Sequence, residues 1–455
     1  MKLFTRGEGG ISEMLKVAYP MMLSTASTTV MQFINRIFLA HYSPDALAAC
    51  VPAGMLAFVF CCFFFGVVSY TNAFVSQYHG RGKAASVSVA VWQGVWLSVA
   101  AGLLLLALTP AGYYIMDHSG HAAPVIALEK QYFLILNSGG IIYLTATAFS
   151  SFFTGRGRTK VPMVVNIAGN ALCVLLSWLL IFGAGPVPAM GIKGAGFAMV
   201  AGQALMLGLY VALLFTPYNL RRYRTARLAG LNRDLFLRLV KYGAPNGVGF
   251  FLDVASFGAF IFIIGAMDKV SLAASNIIAS INMIAFMPVI GLGIATLTVV
   301  GKYIGMRKPD VAVRVTYNAA KLAALYALSL GVLFASAPWL FVNIFGSGNS
   351  AEYAEILAMS RPVMKVLAVF VFFDAIGMIF ADALRGAGDT RFQMLGGSAA
   401  AWLLFVPGIW YITHYAGGEL IHAWAWGAFY MVLLAVFFSL RFRSGLWRNI
   451  DILKG

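Results

Sequence analysis

Long apolar segments dominate this chain and limit the folds open to it. Residues 243–266, GAPNGVGFFLDVASFGAFIFIIGA, contain almost no side chain that could face water. About 20 consecutive apolar residues span a bilayer as a helix. That length predicts an all-α membrane protein with twelve transmembrane helices. Their centres lie near residues 27, 62, 98, 140, 172, 205, 252, 287, 324, 370, 403 and 431.

Composition agrees with a membrane environment. Of the 455 residues, 61% are hydrophobic and 11% are charged, whereas about 25% of the residues in a soluble protein are charged. The first twenty residues mix charges of both signs and lack a short apolar core, so we do not expect a signal peptide.

The net charge of +16 could indicate nucleic-acid binding, but the positions of the basic residues indicate membrane topology instead. Basic residues follow the even-numbered helices, and the loops on the other side contain few. Because Lys and Arg stay on the cytoplasmic side, we expect a multi-pass protein of the cytoplasmic (inner) membrane with both termini in the cytoplasm. We expect no nucleic-acid partner. The residues concerned are Arg81, Lys83, Arg156, Arg158, Lys160, Arg221, Arg222, Arg224, Arg227, Arg233, Arg238, Lys302, Arg307, Lys308, Arg314, Arg385, Arg391, Arg441, Arg443 and Arg448.

The two halves of the sequence match when one is shifted along the other by a constant number of positions. At this shift Gly66 corresponds to Gly291, and VSQYHGRGK at residues 75–83 corresponds to VGKYIGMRK at residues 300–308. A second match, TGRGRTK from Thr154 with RGAGDTR from Arg385, has a slightly larger offset. The chain is therefore predicted to contain two six-helix repeats.

Six is an even number, so both repeats begin on the same side of the membrane and are parallel repeats. We predict an N-terminal lobe at residues 1–217, a cytoplasmic basic linker at residues 218–236 and a C-terminal lobe at residues 237–455. Halves of this kind enclose a central cleft and bind substrate near their interface. This organisation favours a transporter over a receptor or a scaffold.

Two of the sixteen acidic residues, Asp253 and Asp374, lie inside predicted membrane helices. The other fourteen fall in loops, at helix ends or in the terminal segments. Asp253 follows Lys241 by about 18 Å of helix, and Asp374 precedes Arg385 by about 16 Å. In a hydrocarbon core roughly 30 Å thick, both carboxylates are predicted near the midplane.

A charged side chain at that depth costs at least about 2.5–3.5 kcal/mol on insertion scales, which makes both acids functional candidates. The alternative is a structural carboxylate that is hydrogen-bonded to a Ser, Asn or backbone group. No Lys or Arg is predicted at the midplane. The missing positive charge is then a proton, a metal cation or a cationic ligand, since two close carboxylates favour proton uptake and hard oxygens suit a small hard cation.

Other side chains in the apolar segments are weaker candidates. Asn276, Ser280 and Asn282 could supply neutral oxygens, although interhelical hydrogen bonds would explain them equally. Methionine suits promiscuous binding surfaces, but core packing is the alternative for each one. The remaining candidates for the cavity or for substrate contact are Asn35, Asn166, Asn170, Met287 and Met378.

Several segments together resemble the multidrug and toxic compound extrusion (MATE) family, closest to its NorM-like branch, over about residues 10 to 445. They are SPDALAA, FVSQYHGRGK, FTGRGRTKVPM, GAPNGVGFFLDVASF, LAASNIIASINMIAFMPVIGLGIATLTVVGKYIG and FFDAIGMIFADALRGAGDT. The resemblance implies an antiporter with two lobes around a central cleft. It would export diverse, often cationic, organic compounds in exchange for sodium or protons. We expect a monomer with no cofactor besides this coupling ion.

The resemblance also assigns roles to individual residues. The family's cation site in the second lobe uses an acid on helix 7 and an aspartate on helix 10, which match Asp253 and Asp374. Sodium would bind these two carboxylates if it is the coupling ion. The polar contributors of helix 8 correspond to Asn276 and Ser280.

Two positions depart from the family pattern. Phe370 stands where a tyrosine can assist the cation site. Asn35 stands where members commonly have an aspartate on helix 1 that serves as a proton or cation site of the first lobe. Because asparagine cannot titrate, the resemblance places the coupling on Asp253 and Asp374.

Two alternative functions fit the sequence less well. A related flippase for lipid-linked sugars would need cationic residues for the phosphates of its cargo, whereas the predicted midplane charges are negative. An intramembrane aspartyl protease would show Gly-x-Gly-Asp and Tyr-Asp motifs. Asp253 follows Leu252 and Asp374 follows Phe373. We therefore expect a secondary active transporter and not an enzyme.

Overall fold

The computed structural model describes residues 7–183, 188–226, 230–343 and 351–454. This part of the chain is helical and contains no strand, which confirms the predicted all-α fold class. The predicted basic residue Arg227 lies outside the described residues. The cytoplasmic location of the termini stays a prediction.

Seventeen α-helices form the described chain. Those of the first half are α1 (Ile11–Tyr42), α2 (Pro44–Ser69), α3 (Thr71–Gly80), α4 (Ala84–Ala107), α5 (Thr109–Asp117), α6 (Ala123–Thr154), α7 (Lys160–Phe182), α8 (Ile192–Leu214) and α9 (Pro217–Tyr223). Those of the second half are α10 (Arg233–Gly265), α11 (Lys269–Gly305), α12 (Pro309–Ser336), α13 (Pro338–Val342), α14 (Ala351–Ala387), α15 (Thr390–Ala400), α16 (Val406–His414) and α17 (Leu420–Arg443). A π-helical turn, Ala401–Phe405, joins α15 to α16.

Within the described residues, eleven helical segments are long and apolar enough to cross a membrane. Three of them combine consecutive helices, namely α2 with α3, α4 with α5, and α15 with α16. The predicted first span corresponds to α1, which has 32 residues. It contains the polar run STASTT at residues 24–29, so hydropathy alone does not identify it.

Contacts divide the chain into two units. The C-unit comprises Met1–Met22 and Gly249–Asp451, and the N-unit comprises Leu23–Val248 and Ile452–Gly455. The first turns of α1 therefore pack with the second half of the sequence, and the first turns of α10 pack with the first half. Hydropathy defines where helices lie but not which helices pack together. The lobe boundaries at residues 217 and 237 stay a prediction.

Each unit has one central helix. In the C-unit, α14 packs against α11, α12 and α17, and their apolar side chains form its largest core. In the N-unit, α6 packs against α2, α4 and α8. α6 and α14 are the fourth long helices of the two repeats, and their three neighbours correspond as well. The packing within each unit therefore repeats the duplication seen in the sequence.

The matched glycines Gly66 and Gly291 lie at equivalent close helix crossings. A Cβ atom on Gly66 would lie 2.6 Å from Gly247 Cα, and one on Gly291 would lie 2.6 Å from Met22 N. Met22 and Gly247 are themselves related by the same shift as the two glycines. Each unit thus uses a glycine at the same repeat position to bring two helix backbones together.

Candidate functional site

The two predicted acids come together in the C-unit. Asp253 lies in the middle part of α10, and Asp374 lies in the second half of α14. The Asp253 side chain is exposed and the Asp374 side chain is half-buried, so both can be reached from the accessible surface of the unit. Their charges interact electrostatically. Ser256 donates its Oγ to the backbone carbonyl of Asp253, at 2.8 Å, and not to the carboxylate.

Tyr430 on α17 belongs to the same cluster. Its side chain is buried, and its ring stacks on Phe405 with 4.6 Å between the ring centroids. The charges of both Asp253 and Asp374 act on its hydroxyl group. A phenol can donate a hydrogen bond to a carboxylate or accept one from a protonated carboxyl group. Tyr430 does not stand out in the sequence, because one tyrosine in an apolar helix looks like any other packing residue.

Arg385, in the last turn of α14, is linked to this cluster by electrostatics, and its predicted cytoplasmic location stays a prediction. Its positive charge acts on Asp253. Its Nη1 donates to Asp382 Oδ1 at 2.8 Å, and its Nε donates to Gln393 Oε1 at 3.0 Å. Arg385 therefore acts on Asp253 while it is hydrogen-bonded to Asp382 and Gln393.

The polar residues of α11 do not join the acid pair through hydrogen bonds in the described part of the chain. Asn276 and Ser280 are both exposed, and Ser280 Oγ donates to the carbonyl of Asn276 at 2.7 Å. Asn282 is half-buried, and its Oδ1 accepts no hydrogen bond among the described residues. A contribution of these three side chains to a cation site stays a prediction.

The predicted apolar candidates differ in their surroundings. Phe370 is buried, and its ring contacts that of Trp424 with 6.0 Å between centroids, so it forms part of the core beside the cluster. Met287 and Met378 are both half-buried. Met378 lies one turn from Asp374 on α14, towards the C-terminal end of that helix.

In the N-unit, Asn35 is buried with an incomplete set of hydrogen bonds. Its Nδ2 lies 3.3 Å from Met31 Sδ and 3.6 Å from Cys173 Sγ. Its Oδ1 accepts no hydrogen bond among the described residues. An uncharged amide beside two sulfur atoms provides no titratable acid at this position.

Asn166 and Asn170 connect α7 to α1 within the N-unit. Asn166 donates to Ser24 Oγ at 2.7 Å and accepts from the Tyr210 hydroxyl at 2.9 Å. Asn170 donates to Ser27 Oγ at 2.8 Å. Both amides take part in neutral interhelical hydrogen bonds of the kind that stabilises helix packing in membranes. Substrate contact by either side chain stays a prediction.

A duplicated bundle of membrane-crossing helices with carboxylates inside apolar helices defines the class of secondary transporters. The family model described as MatE matches residues 20–179 and 245–410, which is more than half of the chain. The chain belongs to this family, the MATE transporters, and to its NorM-like branch. It is a multi-pass membrane transporter and not an enzyme.

Relatives match along nearly the whole chain. The chain is 24% identical to a protein named probable multidrug resistance protein NorM of Thermotoga maritima, over 97% of this chain and 94% of that protein. It is 27% identical to the multidrug resistance protein PmpM of Pseudomonas aeruginosa, over 87% of this chain and 83% of that protein. The fold matches a structure titled as the outward-facing conformation of a multidrug resistance MATE family transporter. That match has a TM-score of 0.87 at 18% identity and covers 98% of both chains.

Proposed function

We propose that this protein is a cation-coupled antiporter that exports organic, cationic or amphipathic compounds across the cytoplasmic membrane by alternating access. The observation that carries the proposal is the pair Asp253 and Asp374, two accessible carboxylates whose charges interact inside apolar helices. Relatives named as multidrug resistance proteins support the drug-export part of the proposal.

The pair couples ion and substrate through its own charge. Two neighbouring carboxylates repel each other strongly unless a proton or a cation is present between them. Losing that positive charge makes the pair attractive to a cationic substrate, and regaining it removes the attraction. Exchange follows if the pair binds its cation more tightly in one state of the transporter than in the other.

The residues of the cluster fit either coupling ion. Four carboxylate oxygens and one phenol oxygen are hard ligands that suit a small hard cation such as sodium. The same carboxylates can each take up a proton, and the Tyr430 hydroxyl can hydrogen-bond to either form. An anionic lipid-linked sugar would meet two negative charges at this cluster, so its geometry favours a cationic cargo.

The deciding experiment measures flux of an organic cation in liposomes that contain the purified protein. Sodium and pH gradients are imposed separately, so the gradient that drives uptake identifies the coupling ion. We expect Asp374→Asn to reduce gradient-driven flux to the level of empty liposomes while the protein remains folded. The control is Asp45→Asn, the same substitution at an exposed acid in the first turn of α2. Full gradient-driven flux in the Asp374 variant would refute the proposed coupling role.

A further inference from the structure

Exposed basic residues gather in the N-unit where the turn between α6 and α7 contacts the short helix α9. No acidic residue occurs in the sequence between Glu129 and Asp234. None of the exposed cations in this region makes an ion pair among the described residues. They form a surface that we call the α9 basic surface, which consists of Arg158, Lys160, Arg221, Arg222 and Arg224.

Behind this surface, Arg156 fixes α9 against the end of α6. Its Nε donates to the Phe152 carbonyl at 2.8 Å, and its Nη1 donates to Asn219 Oδ1 at 3.1 Å. Its guanidinium carbon lies 3.7 Å from the ring centroid of Phe152 and 4.4 Å from that of Tyr223. Asn219 and Tyr223 are the buried residues of α9. These contacts fix which face of α9 is turned outwards.

The charge of Arg156 has no carboxylate partner among the described residues, although its side chain is only 7% exposed. Its Nη2 finds no hydrogen-bond acceptor in that part of the chain. The like charge of Arg158 also acts on it. Buried charges in proteins are normally paired with an opposite charge. An anion bound from outside would supply the negative charge that the neighbouring side chains do not.

The outward face of α9 presents an aromatic ring to two of the cations. The ring belongs to Tyr218, which is 46% exposed. The guanidinium carbons of Arg158 and Arg222 lie 4.9 and 5.9 Å from its centroid. One arginine comes from the turn after α6 and the other from α9, so two separate elements direct positive charge to the same ring. Phe215, two residues before α9, is exposed as well.

The position of the surface decides which kind of anion it meets. The membrane-crossing segment Ile192–Leu214 ends just before α9, and the segment Lys160–Phe182 begins at the surface itself. The surface therefore lies at the depth of the lipid headgroups. Exposed tyrosine rings are typical of that depth, and clusters of Lys and Arg beside a membrane helix attract anionic lipids.

We propose that the α9 basic surface binds the headgroup of an anionic phospholipid. Arg158 and Arg222 contact the phosphate, because a planar guanidinium group donates two parallel hydrogen bonds to phosphate oxygens. The remaining cations of the surface add to the attraction. Tyr218 and Phe215 contact the glycerol backbone and the first carbons of the acyl chains. The lipid balances the excess positive charge of this region and binds to α9, the helix that follows the first six-helix repeat.

The test measures lipid binding by native mass spectrometry of the detergent-solubilised protein. The probe is phosphatidylglycerol, and the reference is phosphatidylcholine with the same acyl chains. We expect Arg158→Gln/Arg222→Gln to weaken phosphatidylglycerol binding about 25-fold, roughly fivefold for each cation. Phosphatidylcholine binding should change little. Unchanged phosphatidylglycerol binding, or an equal loss for both lipids, would overturn the proposal.

The matched control removes two positive charges from the C-unit instead. Lys308 and Arg448 have acidic partners of their own, Glu8 and Asp310, at 2.8 and 3.1 Å. Lys308→Gln/Arg448→Gln lowers the net charge by the same amount and should leave phosphatidylglycerol affinity within about twofold of the original. An equal loss in this control would show attraction to the overall charge, and the local site would have to be dropped.

Tyr218 gives a second, independent test that leaves every charge in place. Tyr218→Phe keeps the ring face and should keep the affinity, whereas Tyr218→Ala should weaken phosphatidylglycerol binding by about two- to fivefold. Because the side chain is exposed, both variants should unfold at the temperature of the unaltered protein. Equal affinities in the two variants would contradict the role of the ring. Displacement of the lipid by an equal concentration of inorganic phosphate would show a small-anion site and overturn the lipid proposal.

Discussion

The close crossing at Gly291 gives a prediction whose size can be worked out from the structure. In Gly291→Ala, the new Cβ atom would lie 2.6 Å from Met22 N, 2.7 Å from Met22 Cα and 2.9 Å from the carbonyl carbon of Met21. All three are backbone atoms of α1, so no side-chain rotation can relieve the overlap. The alanine must push α1 and α11 apart within the C-unit.

Two opposing effects set the expected change in the free energy of unfolding. Overpacking of this kind costs about 1–3 kcal/mol. Alanine has a higher helix propensity than glycine, by about 1 kcal/mol in a helix interior. The first effect exceeds the second because backbone atoms are involved, and we expect a net loss of roughly 1–2 kcal/mol.

Gly331 on α12 provides the matched control. A Cβ atom there would lie 3.5 Å from Ala368 Cβ, which is ordinary van der Waals contact. Gly331→Ala should therefore leave stability unchanged or raise it by up to about 1 kcal/mol.

Thermal unfolding of the detergent-solubilised variants measures both effects. Gly291→Ala should unfold at a lower temperature than the unaltered protein, and Gly331→Ala at the same or a higher temperature. Gly66→Ala, at the equivalent crossing of the N-unit, should behave like Gly291→Ala. Equal unfolding temperatures for Gly291→Ala and Gly331→Ala would refute the reasoning from close backbone contact.

Three further predictions concern individual polar or charged side chains. The first is a double-mutant cycle of Asp253→Asn and Asp374→Asn, measured as cation-dependent substrate release. If the two acids share one cation site, the double variant should release substrate little worse than either single variant. Additive losses would show two independent sites. Asn35→Asp should add a pH dependence to transport or substrate binding, and an unchanged profile in a folded variant would show that position 35 does not face the working cavity. Asp268 caps α11 by accepting from Ser271 N at 2.7 Å, so Asp268→Ala should cost about 1 kcal/mol in thermal unfolding, with Asp268→Asn close to neutral. Burial acts to raise the pKa of Asp268, but hydrogen bonds from Ser271 and Val270 hold it below its ordinary value. The stabilisation by Asp268 should therefore be present above the pKa of the unfolded chain and be lost as the pH falls through the lower folded value.

The duplication was the part of the fold that the sequence predicted in most detail. The constant shift between the repeats paired Gly66 with Gly291, and both lie at close crossings of two helix backbones. Gly82 and Arg307 are related by the same shift, and both have positive φ, 72° and 59°. An amino-acid match can indicate such equivalences because the same backbone geometry is required twice.

The grouping of helices into units could not be predicted in the same way. Periodicity and hydropathy show that α1 and α10 are helices, but both are apolar on most sides. Nothing in such a pattern shows that Met22 and Val248 mark the points where each helix leaves one unit and enters the other. That division depends on long-range packing.

The polar residues of the C-unit likewise divide into those that the sequence makes conspicuous and those that only the packing reveals. Asp253 and Asp374 were predictable because a carboxylate within an apolar segment is costly and therefore conspicuous. The burial of Asp382 was not predictable, because Arg385 follows three residues later and the pair looks like the solvated end of a helix. Only the packing of α14 against Gly293 shows that this carboxyl group is buried with one oxygen unpaired.

Under the proposed antiport mechanism, the two units would contribute different chemistry to transport. In the N-unit, Asn166 exchanges hydrogen bonds with Ser24 and Tyr210, and these neutral contacts do not depend on which ion is present. In the C-unit, the mutual repulsion of Asp253 and Asp374 changes whenever a proton or a cation arrives or leaves. A ligand shifts a conformational equilibrium only by the difference between its affinities for the two states. We therefore expect the free energy that couples the ion gradient to export to reside in the C-unit. The substitution Asn35→Asp, which adds a titratable group, would be the simplest way to let the N-unit contribute to this coupling free energy.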